Sequence, residues 1–275
     1  MPAYSKIEPK GKMSIASEIA EIWQYRSVLK HFAIRDVILR YRQTFLGAVW
    51  VILQPLISSG LFAIIFGLFI RLPTEGENYF MFVLAAIVPW GLFSNTVNRS
   101  GPSLTQNINL ITKVYFPRMI IPLGTSAAAV LDYVLNLLLL VLVALLVEGG
   151  LSARLLLLPV AFLLNLALAV GASFFISSLN AYYRDFGYTI PFLLQILFFA
   201  SPIAYSPSFI PPEYTAIYYL NPLTGIIHLY RWMFLEGVAF PPMALMIQTA
   251  LLVALVLGIG TLVFKRVEER FADVI

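Results

Sequence analysis

The sequence predicts an all-α integral membrane protein: six transmembrane helices, an N-terminal amphipathic interface helix, and a re-entrant helical hairpin between spans five and six. Three observations carry this. Hydrophobic residues make up 60% of the chain and charged residues 12%, with a mean hydropathy of +0.86, whereas soluble domains carry roughly a quarter charged residues. The apolar residues gather into runs of crossing length, about 20 residues each. The basic residues are sided. With both termini on one face, only Arg71, Arg154 and Arg231 of the 18 Lys and Arg fall on the other, which puts the termini in the cytoplasm. The net charge of +4 therefore belongs to the flanks of membrane spans and is no nucleic-acid signal. With no cysteine in the chain, disulfides, thiolate nucleophiles and Cys-bound metals are excluded. No apolar core follows the early lysines, so the N-terminus does not read as a cleaved signal peptide.

Residues 1–50 read as a cytoplasmic N-terminal region with amphipathic interface helices. Residues 1–12 are polar, with Pro2, Pro9 and Gly11. Ile15, Ile19, Ile22 and Trp23 then recur at helical spacing, a first surface helix with Trp23 at headgroup level. After His31, which nothing marks as a ligand, Ile34, Val37, Ile38, Tyr41 and Phe45 share one helical face. Arg35 and Arg42 lie opposite, Asp36, Arg40 and Gln43 to one flank, and Leu39 breaks the pattern. Charges then stop at Leu46 and return only at Arg71. This helix is expected to run along the membrane surface and then turn in.

A single six-span domain follows over 51–264, with spans at 51–70, 79–96, 120–147, 155–179, 188–204 and 243–264. At ~1.5 Å per residue the first matches a hydrocarbon core of ~30 Å, and Pro55 should kink it. The third is longer than the core needs and should tilt or protrude. Between spans two and three, a cytoplasmic helix is predicted over 102–116. Pro102 would be its first residue, Leu104, Ile108, Ile111 and Tyr115 would share one face, and Pro117 would end it. Residues 180–187 form a tight charged loop. Residues 205–242 hold six prolines and are too polar to cross; Asn221-Pro222 reads as an N-cap and first helical residue, and 223–234 is too short to span. Two short helices dipping into the outer leaflet and returning are expected there. Residues 265–275 form a cytoplasmic tail.

Catalytic motifs are missing. There is no Walker A sequence, no H-E-x-x-H and no G-x-S-x-G, and His228 is isolated in the outer hairpin. Asp132 stands deep in a span, with Asn136 one turn on and no basic partner within the spans. A charge there costs ~2.5–3.5 kcal/mol. It is either a proton relay or a polar pin between helices.

Several blocks carry a resemblance: Arg35-Asp36, Arg40-Tyr41, Leu46-Gly47, Trp50 and Gln54-Pro55; then Asn109-Leu110-Ile111-Thr112-Lys113, Phe116-Pro117-Arg118 and Pro122; then Tyr183-Arg184-Asp185, Ser201-Pro202-Ile203, Tyr205 and Asn221-Pro222. Together they resemble the membrane (permease) subunit of bacterial polysaccharide ABC exporters, the type-2 exporter family that moves O-antigen, teichoic acid or capsule chains across the inner membrane. The resemblance implies a transport subunit rather than an enzyme: a homodimer of this chain with two copies of a separate ABC ATPase subunit, which would hold the ATP and Mg. No cofactor is implied on this chain, and the substrate would be a lipid-linked polysaccharide. Arg35, Asp36, Arg40, Tyr41, Arg42, Tyr183, Arg184 and Asp185 would couple to the ATPase. Asn109, Leu110, Lys113, Phe116 and Arg118 would belong to a cytoplasmic gate. Arg40 and Asp185 are both expected to be exposed. An ABC permease for a drug or lipid, and a proton-coupled carrier or membrane-embedded enzyme, remain as alternatives.

A polysaccharide corridor needs many weak, similar contacts, and aromatic rings supply them to the C–H faces of sugars. Trp90, Phe93, Phe198, Phe199 and Tyr205 are the channel candidates. Tyr218, Tyr219 and Trp232 read instead as interfacial anchors.

Overall fold

The computed structural model describes residues 15–41, 47, 49–74, 76–183 and 185–268. Among them every regular element is helical. Helices α1 (Ile15–Gln24) and α2 (Arg26–Tyr41) precede α3 (Val49–Phe62), which runs on into a π-helical stretch, Ala63–Phe69. Next come α4 (Tyr79–Ser100), two single turns, α5 (Ser103–Gln106) and α6 (Ile108–Ile111), and α7 (Ile120–Val147). A 3-10 turn, Ala153–Leu157, opens α8 (Leu158–Tyr182), followed by α9 (Phe186–Phe199), α10 (Thr215–Tyr218), α11 (Pro222–Phe234) and α12 (Met243–Glu268). Among the described residues, five helical segments are long and apolar enough to cross a membrane: Val49–Phe69, Tyr79–Ser100, Ile120–Val147, Ala153–Tyr182 and Met243–Glu268.

The sixth apolar run, expected over 188–204, is helical for 14 residues. It stops because Pro202 brings no N–H to continue the ladder, and side chains hold the backbone that follows in a non-helical path. The Asn221 amide donates to the Ala200 carbonyl and to Ser201 Oγ, and the Arg231 guanidinium donates to the carbonyls of Ile203 and Tyr205. Beyond it, 205–242 contains 3-10 turns at Pro207–Phe209 and Pro212–Tyr214 and the single turn α10 rather than a descending helix. The Asn221 side chain caps α11 as expected, with Pro222 first in the helix.

Helix α4 is the axis of the fold. It packs against α3, α7, α8, α9 and α11, and from Met81 onward only Ile87, Gly91, Ser94, Asn95, Asn98 and Arg99 escape burial. The other extensive contact joins α8 to α12. The two backbones meet there at Gly171 and Gly260, where a Cβ on Gly260 would collide with the Gly171 carbonyl oxygen. Small residues let membrane helices approach this closely.

Two cytoplasmic expectations change. The helix predicted over 102–116 is broken at Asn107, whose side-chain amide donates to the Ser103 carbonyl at 2.7 Å while its backbone N–H bonds Leu104 instead. An Asn side chain competing for the i−4 carbonyl ends the ladder. Helix α2 packs lengthwise beside α7 rather than only along a surface. Phe32 sits against Gly124 and Arg40 against Asp132, so the two helices run parallel. Its polar flank turns towards α7, and Ile34, Ile38 and Leu39 face outward.

Candidate functional site

Between the open face of α4 and helix α9 lies a groove of about 350 Å³. Its periodicity is that of two facing helices. Trp90, Ser94, Asn95 and Asn98 come from α4, and Pro191, Leu194, Gln195, Phe198 and Phe199 from α9. The rings form a chain: Trp90 stands edge-on to Phe198 with centroids 5.5 Å apart, Phe198 edge-on to Phe199 at 5.4 Å and to Phe62 of α3 at 5.8 Å. Phe93 packs 6.0 Å behind Trp90; both rings belong to the core, at 6% and 8% exposure, but Trp90 borders the groove and Phe93 supports it from behind. Tyr205 lies past the end of α9, its hydroxyl donating to the Phe199 carbonyl and its ring beside Tyr218. Burial pushes the Tyr205 hydroxyl above its ordinary pKa, opposed by its bond to Tyr218 and by the Arg231 charge.

A charged node joins three helices near the Asn98 end of this groove. Asp132 of α7, 1% exposed, receives Arg40 of α2 at 2.8 Å and Arg99 of α4 at 3.5 Å. No basic partner was expected within the spans; Arg40 reaches Asp132 from α2, outside them, and Arg99 from the last turn of α4, past the expected span limit at residue 96. Arg40, expected to be exposed, is 25% exposed and turned inward for the same reason.

One turn earlier on α2, Arg35 stacks on Phe32, pairs with Asp36 at 3.0 Å, and donates to the Asn107 side-chain oxygen at 3.0 Å. Asn180, three residues before the predicted coupling residue Tyr183, donates to the Gly101 carbonyl at 3.1 Å. Tyr183 and Asp185 are exposed at the α8–α9 turn. Arg35 and Asn180 thus bond Asn107 and Gly101, the two ends of one short segment. Arg42 and Arg184 lie outside the described residues, as does the side chain of Tyr41.

Of the gate residues, Asn109, Leu110 and Lys113 are exposed, whereas Phe116 is buried against Phe32. Arg118 is tied to the end of α12, its backbone N–H bonding the Glu268 carboxylate at 2.9 Å. Leu110, Tyr115 and Phe116 form one wall of a second groove, about 630 Å³, whose other wall is Tyr25, Val28 and Phe32. Among the described residues no group of three or more His, Cys, Asp or Glu could hold a metal ion.

A family model described as ABC-2 type transporter matches residues 27–235. The chain belongs to the ABC-2 type transporter family. It is similar to the O-antigen export system permease protein RfbA of Myxococcus xanthus, at 27% identity over 93% of this chain and 98% of that protein. It is likewise similar to an O-antigen export system permease protein of Klebsiella pneumoniae, at 27% identity over 88% of this chain and 92% of the relative. The polysialic acid transport protein KpsM of Escherichia coli is 25% identical over 86% of this chain and 92% of its own length.

In this ABC-2 transporter chain the aromatic candidates Trp90, Phe198 and Phe199 were legible as isolated rings, and the structure brings them together. Ser94, Asn95, Asn98, Gln195, Arg99, Asn107 and Asn180 were not singled out. For the first three a signal existed: polar residues at i, i+1 and i+4 in an otherwise apolar run put one wet stripe on the helix. Asn180 carries no such signal, because its partner is the remote Gly101 carbonyl, and Asn107 combines a local bond to Ser103 with a remote one from Arg35.

Proposed function

We propose that this chain is the membrane subunit of an ABC exporter that moves a lipid-linked polysaccharide, O-antigen or a related surface glycan, across the bacterial inner membrane. Two copies would pair and work with two copies of a separate ATPase, which binds ATP and Mg and performs all hydrolysis. The observation that carries the reading is the aromatic chain Trp90–Phe198–Phe199 lining an open groove between α4 and α9. A sliding polymer needs such serial, weak, ring-to-ring contacts. The curated relatives, matched nearly end to end, bear export names.

In this reading α9 and the turn after it form a sixth span, 205–242 is a re-entrant hairpin on the outer side, and both termini are cytoplasmic. ATPase movement enters through Arg35, Asp36 and Arg40 on α2, with Tyr41 and Arg42 beyond, and through Tyr183, Arg184 and Asp185. Both segments press on residues 101–107 and so on the gate segment at Asn109, Leu110, Lys113, Phe116 and Arg118. The test is export in cells carrying the assembled transporter. Trp90→Ala and Tyr205→Ala should slow export of long chains more than short ones while the complex still co-purifies. Trp232→Ala should lower folded yield instead, since Trp232 stacks on Phe240 at 4.9 Å and receives the Arg154 cation. Normal chain-length distributions from both corridor variants would put the path elsewhere.

A further inference from the structure

Helix α4 is the most enclosed of the spans, yet its one open face is polar. Past Ile87 that face carries Gly91, Ser94, Asn95 and Asn98, and Gln195 answers from α9 across the groove. Among the described residues the side chains of Ser94, Asn95, Asn98 and Gln195 make no hydrogen bond, although all four line one groove. Amides without partners are costly against hydrocarbon, where nothing can bond them. They belong where water or a polar cargo passes.

The groove's second property is charge. None of its lining residues is Asp, Glu, Lys, Arg or His. The nearest candidate along α4, Arg99, is turned to Asp132. Paths that pass anions through a membrane supply Arg or Lys along the way, because a charge in a low-dielectric passage needs a counter-charge. This groove supplies donors and acceptors without charge, beside flat apolar rings. A pyranose presents the matching surfaces: neutral hydroxyls at its edge and C–H bonds on its faces.

We infer that the α4–α9 groove selects uncharged sugar rings, with Asn95, Asn98 and Gln195 bonding ring hydroxyls while Trp90 and Phe198 hold ring faces, and that it disfavours polyanionic glycans. This rests on the corridor reading above and specifies its cargo. An Asn or Gln amide both donates and accepts, so it serves a hydroxyl in either orientation, which suits a chain that slides past in varying register.

The test uses the full chain with its ATPase, in cells making either a neutral lipid-linked galactan or polysialic acid, with surface polymer measured per assembled transporter. The wild type should export the galactan at least about tenfold faster, the penalty expected for bringing charge into such a passage. Asn95→Ala and Gln195→Ala should slow galactan export several-fold, and Asn95→Lys should shift the ratio towards polysialic acid. Because these amides have no internal partner, truncation leaves nothing unpaired in the fold. Equal export of the two polymers by the wild type, or alanine variants at the wild-type rate, overturns the inference.

A second arm separates this from the corridor itself. The chain has no cysteine, so Asn95→Cys can be capped alone with a bulky maleimide. If the cap stops export and the wild type still passes polysialic acid freely, the corridor stands and its preference for uncharged rings falls. If the cap leaves export untouched, the corridor is wrong. If Asn95→Cys instead forms a disulfide with a second copy and transport persists, the amides serve pairing of copies and the inference also falls.

Discussion

Asp132, Arg40 and Arg99 show how a residue's neighbours set its meaning. A carboxylate deep in an apolar run is costly alone, and here two guanidinium groups at 2.8 and 3.5 Å offset that cost. Arg231 is a parallel case at the other end. It is 2% exposed, lies over the Phe82 ring, and bonds the carbonyls of Phe82, Ile203 and Tyr205. By sequence it counted only as an outer-side charge. The node makes a prediction that differs from one based on exposure. Arg40→Glu places two carboxylates together and should cost on the order of 3 kcal/mol, the scale of breaking a buried pair. It should be seen as a lowered unfolding midpoint in detergent. Restoring opposite charge with Arg40→Glu and Asp132→Arg together should recover part of that loss, a coupling that a double-mutant cycle measures. Asp185→Arg, at an exposed turn, should leave the midpoint unchanged. If Arg40→Glu melts with the wild type, the ion pair does not hold α2.

Among the elements, α8 and α12 depend on a contact of two backbones, and this can be isolated within one helix. A Cβ on Gly260 meets the Gly171 carbonyl carbon at 2.8 Å and its oxygen closer still, whereas a Cβ on Gly258 meets nothing within 4 Å. Gly260→Ala should therefore destabilise by about 1–3 kcal/mol through overpacking. Gly258→Ala should be neutral or slightly stabilising, since Ala is the better helix former by about 1 kcal/mol. Thermal melts of the two variants side by side decide it, and equal midpoints would mean the helices do not meet here. The break at Asn107 is the other lesson at this scale. The periodicity of Leu104, Ile108 and Ile111 is helical, but a side chain that bonds its own i−4 carbonyl and is held by Arg35 outweighs it.

For the whole molecule, sidedness is the property to test first. Single cysteines at Gln106 and Ala272 should react with impermeant maleimide only from the cytoplasm, and one at Glu213 only from outside. Reaction of the Glu213 position from the cytoplasm alone would remove α9 from the set of spans and invert everything after it.

Composition and run length gave the membrane class and six expected spans, of which five are helices long enough to cross, and Asn221-Pro222 marked a helix cap, because each is a local or summed property of the chain. Family membership was legible in short blocks spread over its length. The grouping of Trp90, Phe198 and Phe199 into one groove required the pairing of α4 with α9. The approach of Gly171 to Gly260, the parallel docking of α2 on α7, and the counter-ions of Asp132 likewise needed the tertiary structure. Each joins residues far apart in sequence through a contact of only a few ångströms, and the local spacing of either partner does not identify the other. The shortened α9 also needed the tertiary structure. Pro202 marks a disturbance, but Asn221 bonds the carbonyl of Ala200, at the end of the helix, and Arg231 holds the non-helical residues that follow through the carbonyls of Ile203 and Tyr205.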